Sequence, residues 1–186
     1  MRTTHTNKKF AEAMMLLAKK KEIEKITVQD LLDTCNASRQ TFYNHFQDKN
    51  DLINWIYADK ADEALRLYRS GAPLLICVQR IYAMFTEYRE FFTKAIRLDG
   101  QNSFLQGLFD HSREYYIQQI SQLYGETCLT KDVLYAIDFN CFGAVNMTRQ
   151  WMLNGMQETA DEMALLLMHT MPQELKRFFP DLEKVV

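Results

Sequence analysis

Apolar residues recur at helical spacing along the whole chain. In residues 8–19 they fall on one face, at Phe10, Ala13, Met14 and Leu17. The same periodicity predicts helices at about residues 28–35, 39–45, 49–69, 74–86, 87–98, 103–124, 131–153 and 159–170, with a last turn or short helix from Pro172. Three prolines and six glycines punctuate the sequence, and no segment of alternating polarity stands out. The pattern predicts an all-α fold.

Residues 27–49 are predicted to form two short helices joined by a tight turn. Thr27 stands at an N-cap, and Asp30 follows three residues later, as in a capping box. Asn36 suits a left-handed turn residue that ends the first helix. Ser38 caps the second helix, whose Phe42 and Phe46 repeat at i and i+4 and are expected to face inward.

The other side of the second helix is polar. Its outward residues are Arg39, Gln40, Thr41, Tyr43, Asn44 and His45. Hydrogen-bond donors at the start of a second short helix are what a helix-turn-helix presents to the major groove of DNA. A solvated helix face is the alternative interpretation.

The same residues resemble a known family. Thr27, the turn at residues 35–38, and the pattern Phe42-Tyr43-x-His45-Phe46-x-x-Lys49-x-x-Leu52 are similar to the DNA-binding signature of tetracycline-repressor (TetR, AcrR-like) regulators. The chain departs from the pattern at Asn36 and Gln40, where the family often has glycine, and at Leu32 and Thr34, where alanine is common. Gln40 therefore places a side chain that can bond a base edge where the backbone usually approaches closely.

We expect the DNA contacts to divide into two groups. By resemblance, and because hydroxyl, imidazole and ammonium groups can donate to phosphate, the predicted backbone contacts are Thr27, Tyr43, His45 and Lys49. The predicted base-reading residues are Arg39, Gln40, Thr41 and Asn44, since Arg suits guanine and Gln or Asn suits adenine. Ser38, the cap of this helix, completes the predicted DNA-binding set.

The charge distribution permits this interpretation. The net charge is −2, but residues 1–56 carry nine Lys/Arg against seven Asp/Glu, whereas residues 57–186 carry thirteen against seventeen. The basic end of the chain is the end with the motif. An excess of two positive charges is weak evidence, because attraction to DNA scales with the cationic contacts that are made.

The pattern divides the chain into two predicted domains. Residues 1–50 form a three-helix helix-turn-helix domain, and residues 51–186 form a helical effector-binding and dimerisation domain, with a connector helix at about residues 49–69. The last two long helices carry apolar stripes, at Leu134, Ile137, Cys141, Val145, Thr148 and Trp151, then at Met163, Leu166, Leu167 and Met171. The family resemblance implies that these helices pair in a homodimer and that the protein is a repressor released from a palindromic double-stranded DNA operator by an effector.

The nature of the effector stays open. Residues 74–171 are rich in aromatic residues and methionine, which favours either a small-molecule cavity or a plain core. The polar residues to inspect there are Tyr82, His111, Tyr115, Gln118 and Asn146. Residues 140–167, with Gly143, Trp151, Asn154-Gly155 and Glu162, resemble the branch of the family that includes dihydroxyacetone-kinase regulators, which implies a protein co-activator instead.

Other classes of function lack support in the sequence. No His, Cys, Asp or Glu group shows a metal-ligand spacing, and there is no glycine-rich phosphate loop or nucleophile elbow, so we expect no metal, no cofactor and no enzyme activity. An all-α enzyme, the remaining alternative, would need ionisable groups clustered in a cleft. Neither a membrane span nor a secretion signal is indicated, so the expected location is the cytoplasm.

Overall fold

The protein is built from helices alone over the residues that its computed structural model describes, 5–100 and 102–184. The α-helices in this part are α1 (His5–Ala18), α2 (Val28–Cys35), α3 (Arg39–Tyr43), α4 (Lys49–Arg69), α5 (Leu74–Glu87), α6 (Arg89–Ala95), α7 (Phe104–Tyr124), α8 (Lys131–Leu153), α9 (Ala160–His169) and α10 (Gln173–Lys176). Short 3₁₀ helices lie at Ile23–Lys25, Glu126–Cys128 and Pro180–Lys184. The all-α prediction is confirmed, and none of the described helices is long and apolar enough to cross a membrane.

Helices α1 to α3, called here the N-terminal unit, share an aromatic core. Phe10 of α1 packs edge-on against Phe42 of α3, with ring centroids 5.2 Å apart, and against Phe46, at 6.1 Å. Phe46 in turn contacts Trp55 of α4 at 6.1 Å. Edge-to-face packing at these distances is favourable beyond simple burial. Phe42 and Phe46 are buried, as the sequence predicted, and they fix α3 between α1 and α4.

Helix α4 connects the N-terminal unit to the rest of the protein. Its first turns carry Trp55, and further along Tyr57 stacks on Phe85 of α5 at 5.7 Å. The helix also packs against α7. The predicted connector therefore runs from one aromatic cluster into another.

The remaining helices form a bundle in which α5 packs against α9 and α7 packs against α8. Trp151, near the end of α8, is buried beside Tyr82 of α5, with ring centroids 5.3 Å apart. Its indole N–H donates to the Glu158 carbonyl at 2.9 Å, which ties the α8–α9 loop to the bundle. Trp151 is thus a packing anchor of the bundle.

Helices α4 and α7 cross closely at Gly107. A Cβ atom at this position would overlap the side-chain amide of Asn54, so the side chain of Asn54 fills the space that glycine leaves. The Asn54 amide N–H donates to the Asn102 carbonyl at 3.2 Å, while its Oδ1 is buried and has no hydrogen-bond partner among the described residues. The crossing lies one turn from the start of α4, next to the N-terminal unit.

The substitution Gly107→Ala is expected to lower the free energy of unfolding by about 0.5–1.5 kcal/mol, because the new methyl group must displace the Asn54 amide from its hydrogen bond to the Asn102 carbonyl. Asn54→Ala removes the obstacle. In that background Gly107→Ala should be neutral or stabilising, since alanine favours a helix over glycine by about 1 kcal/mol. A urea-denaturation double-mutant cycle measures both, and equal effects of Gly107→Ala in the two backgrounds would contradict the contact.

Candidate nucleic-acid interface

The start of α2 is fixed by the predicted capping box. The Asp30 carboxylate accepts from the Thr27 backbone N–H at 2.7 Å, and the Thr27 hydroxyl accepts from the Asp30 N–H at 3.2 Å. The Thr27 hydroxyl also donates to Asp30 at 2.7 Å. Thr27 is exposed, but in this structure its donors are used within the chain.

Lys21 adds a contact that the sequence analysis did not identify. Its ammonium lies 2.8 Å from Asp30 Oδ2, and this bond, together with those from Thr27, holds the pKa of Asp30 well below its usual range. The pair joins the segment after α1 to the first turn of α2. The partners are nine positions apart and lie in different segments, so helical periodicity could not reveal the contact.

The turn between α2 and α3 has the predicted left-handed residue. Asn36 has φ 48° and ψ 51°, and the N–H of the next residue, Ala37, donates to the Leu32 carbonyl at 3.0 Å. Ser38 then caps α3 by accepting from the Thr41 N–H at 3.1 Å. Both features set the angle at which α3 leaves the turn.

Helix α3 is shorter than predicted. It ends at Tyr43, and Asn44 and His45 belong to the following turn rather than to the helix. Hydrogen bonds to Phe42 from the N–H groups of His45 and Phe46 tighten the chain into that turn. Phe46 packs into the core against Phe10, and the chain leaves the helical path after Tyr43 to place it there.

The structure leaves most of the predicted base-reading residues in solvent. Arg39, Gln40 and Asn44 are exposed, and Thr41 is half-buried. The Gln40 side-chain amide donates to the Asn44 side-chain oxygen at 2.8 Å. These two amides thus hold each other in the unbound protein, and a base edge has to compete with that bond.

The predicted phosphate contacts differ in their surroundings. Tyr43 is 50% exposed, and its ring packs edge-on against Phe42 at 5.4 Å. His45 is half-buried beside Phe46. Packing of the rings against buried phenylalanines limits where the Tyr43 hydroxyl and the His45 imidazole can point.

Lys49 is engaged inside the protein. Its ammonium donates to the carbonyls of Ile23, Glu24 and Ile26 at 3.0, 2.8 and 3.0 Å. An ammonium group has three donors, so all are used at the end of the 3₁₀ turn. Partial burial lowers the pKa of Lys49. The geometry gives Lys49 a positioning role, and its predicted phosphate contact would require these bonds to open.

Helix α8 has two apolar faces, and only one of them was predicted from the sequence. Ile137, Cys141, Val145 and Thr148 are buried within this chain, whereas Tyr135, Phe139, Phe142 and Met147 are exposed. Tyr135 is 73% and Phe139 65% exposed. Phe142 is partly supported by Phe109 of α7, with ring centroids 4.3 Å apart. The stripe named from the sequence is therefore the core side, and the second stripe is the free face.

The cavity inside the helical bundle is small. It measures about 90 Å³ and lies between α4, α5, α7, α8 and α9. Drug-sized ligands usually occupy about 300–1,000 Å³. Of the five polar residues to inspect, Tyr82, His111 and Tyr115 line it, and Asn146 is exposed elsewhere on the surface. Gln118 is exposed too, and with His111 and Tyr115 it lines an open pocket of about 620 Å³ beside the cavity. The 90 Å³ cavity suits a few water molecules better than a large effector.

Two of these polar residues already have partners. The hydroxyl of Tyr82 is hydrogen-bonded to that of Thr148. His111 Nε2 lies 2.9 Å from Asp62 Oδ1, and this contact lowers the pKa of Asp62. Within the part of the chain that the structure describes, no group of three or more His, Cys, Asp and Glu is arranged to hold a metal ion.

Comparison with known proteins finds similarity to transcriptional regulators. Residues 75–173 match the TetR-type family described as "Transcriptional regulator C-terminal region". A curated relative, the HTH-type dhaKLM operon transcriptional activator DhaS of Lactococcus lactis subsp. lactis, is 28% identical over 123 residues, which cover 59% of this chain and 64% of that protein. The match thus spans less than two thirds of the relative's length.

A solved structure has the same fold. It is the dihydroxyacetone kinase operon activator DhaS, which matches with a TM-score of 0.65 and 17% identity over 95% of this chain and 99% of that one. The resemblance to TetR regulators and to their dihydroxyacetone-kinase branch is confirmed. These relatives are transcriptional regulators and not enzymes, which agrees with the predicted absence of catalysis.

The substitution Lys49→Met retains most of the side-chain length but removes the three donors. We expect it to lower the free energy of unfolding by about 1.5–3 kcal/mol, the usual range for hydrogen bonds to a charged group. Lys25→Met, at an exposed lysine in the neighbouring 3₁₀ turn, is the matched control and should stay within about 0.5 kcal/mol. An unchanged urea midpoint with weaker, less salt-dependent DNA binding would instead identify Lys49 as a phosphate contact.

Proposed function

Because the chain belongs to the TetR-type transcriptional regulators, we propose that it controls transcription by placing α3 in the major groove of an operator. The observation that carries this proposal is the polar, solvent-exposed side of α3, held on a turn whose geometry is fixed at both ends. A short helix offered in this way is the reading element of a helix-turn-helix. The domain division proposed with it is residues 1–50 for DNA and residues 51–186 for control and dimerisation.

The proposed contacts follow from exposure and available donors. Arg39, Gln40, Thr41 and Asn44 read base edges. Tyr43 and His45 bind phosphate, together with the N-terminal turn of α3 that begins at Ser38. Thr27 and Lys49 act chiefly by holding α2 and the preceding turn in place, since their donors bond within the chain. Phosphate contacts then fix the register, and the α3 side chains select the sequence.

We propose that the operator is a palindrome read by a homodimer. The free face of α8, defined by Tyr135, Phe139, Phe142 and Met147, supports this, because soluble monomers rarely leave such a contiguous aromatic stripe in water. Leu166 of α9 extends it and is also exposed. Two-fold pairing of this face would present two α3 helices to half-sites about 34 Å apart.

Control by a protein partner is the better supported mode of regulation. The cavity of about 90 Å³ in the bundle is too small for a typical effector molecule, and the larger pocket of about 620 Å³ beside it is open and lined mainly by charged and polar side chains. The curated relative is named as an activator, which supports activation rather than the repression inferred from the sequence. We therefore propose that a co-activator protein, rather than a small molecule alone, changes the affinity of the dimer for DNA. Such a partner must favour one spacing of the α3 helices over another.

Selection from a pool of random 30-base-pair duplexes, followed by anisotropy titrations, tests the DNA contacts. Tyr43→Phe should weaken binding to all selected sequences alike, by about fivefold for one lost hydrogen bond. Gln40→Ala should instead change which sequences are recovered, because it removes a base reader. Recovery of no palindrome, or a wild-type preference in Gln40→Ala, would overturn the assignment.

The dimer is tested by sedimentation velocity. Phe139→Lys and Tyr135→Lys place a charge on the free face of α8 and should convert the dimer to a monomer at micromolar concentration, because an unpaired charge at an apolar interface is costly. Leu16→Ser, at an exposed leucine of α1, is the control and should leave the dimer intact. A monomeric wild type, or dimeric lysine variants, would refute the proposed interface.

A further inference from the structure

A groove of about 410 Å³ lies where α1 meets the junction of α5 and α6. Its apolar part is made by Met15, Leu16, Tyr88 and Phe91. Leu16 is 48% exposed, on a helix whose opposite side is buried against Phe42 and Phe46. The groove therefore joins the N-terminal unit to the C-terminal helices.

The rim of the groove is acidic. Glu12, Glu87 and Glu90 line it together with Lys19, while two further lysines lie at its edge, Lys94 beside Glu90 and Lys60 over Tyr88. Glu90 is paired with Lys94 at 3.0 Å, but Glu12 and Glu87 form no ion pair with any described residue. Two unpaired carboxylates beside exposed leucine favour a ligand with both apolar and basic groups.

The groove also lies where contacts join α1 and α4 to the α5–α6 region. The Lys94 ammonium of α6 donates to the carbonyl of Ala18, the last residue of α1, at 2.6 Å. Lys60 of α4 lies over the ring of Tyr88, 4.0 Å from its centroid. An occupant of the groove would thus contact α1 directly and α4 through Tyr88.

We propose that this groove docks a basic amphipathic helix of a partner protein. The leucine-like side chains of that helix would cover Leu16 and Tyr88, and its Lys or Arg residues would pair with Glu12 and Glu87. The groove follows α1 from Glu12 to Lys19, about 10 Å or two helical turns. This proposal rests on the proposed function, for which it names the surface where a co-activator acts.

A second copy of this chain is a poorer occupant. The apolar face that it could offer, on α8, carries Lys131 and Arg149 but also Asp132 and Asp138, and it has no basic excess to match the acidic rim. A basic helix docked in the groove would contact both α1 and the α5–α6 junction, two parts of the protein that α4 also connects. It therefore restricts the movement of α1 and α4 relative to α6, and with it the spacing of the α3 helices in a dimer.

The test uses the full chain and a labelled 14-residue peptide with leucine on one helical face and lysine elsewhere. Anisotropy should show saturable binding, and amide shifts in ¹⁵N spectra should concentrate at residues 12–19 and 87–91. Leu16→Ser should weaken binding by about tenfold, and Glu12→Gln and Glu87→Gln by about threefold each. Leu123→Ser, in the last turn of α7, and Glu126→Gln, just beyond it, change exposed residues far from the groove; they are the matched controls and should bind normally.

Three results would overturn the proposal: no binding of the peptide, equal binding of a leucine/glutamate peptide, or equal affinity in all variants. A change in self-association of Leu16→Ser would identify the groove as a contact between copies, and would also overturn it. DNA titrations on the same variants separate this inference from the proposed function. If the groove variants lose peptide binding but keep DNA binding, the docking site is supported. If the wild-type protein binds no DNA, the proposed DNA-binding function is refuted.

Discussion

The burial of Phe42 and Phe46 against Phe10 and Trp55 is the interaction on which the DNA-reading end depends. Helix α3 has five residues, too few to be stable alone, because helix nucleation costs more than one turn returns. Its position comes from the two phenylalanines, which anchor it between α1 and α4. The polar side of α3 faces solvent because the apolar side is held so firmly. Recognition and core packing are therefore two faces of one short segment.

Local features of this fold were predictable, and features made by distant residues were not. The caps at Thr27 and Thr159 join partners three residues apart, so the sequence alone reveals them. Lys49 reaches carbonyls 23 to 26 residues earlier, and only the folded chain brings them together. The free face of α8 was not predicted for a different reason. Both of its sides are apolar, so periodicity predicted a helix but not which stripe turns inward.

Control of the protein would pass through α4. Near its start Asn54 fits against Gly107, in its middle Lys60 lies over Tyr88, and close by Asp62 holds His111 of α7. Two of these contacts join α4 to α7, and the third joins it to the junction of α5 and α6. A rigid helix held at successive points transmits displacement rather than absorbing it, which is the property that a regulator needs between its sensing and reading ends.

One tryptophan lies near the DNA-reading helix and the other lies in the C-terminal helical bundle. Trp55 is buried beside Phe46, next to the reading helix, and Trp151 is buried beside Tyr82 in the helical bundle. The protein thus carries one tryptophan in each part, and tryptophan can be excited selectively above the absorption of tyrosine. When either tryptophan is replaced by phenylalanine, the fluorescence of the remaining one reports on its own part alone. The unfolding of the two parts can then be followed separately, without an attached dye.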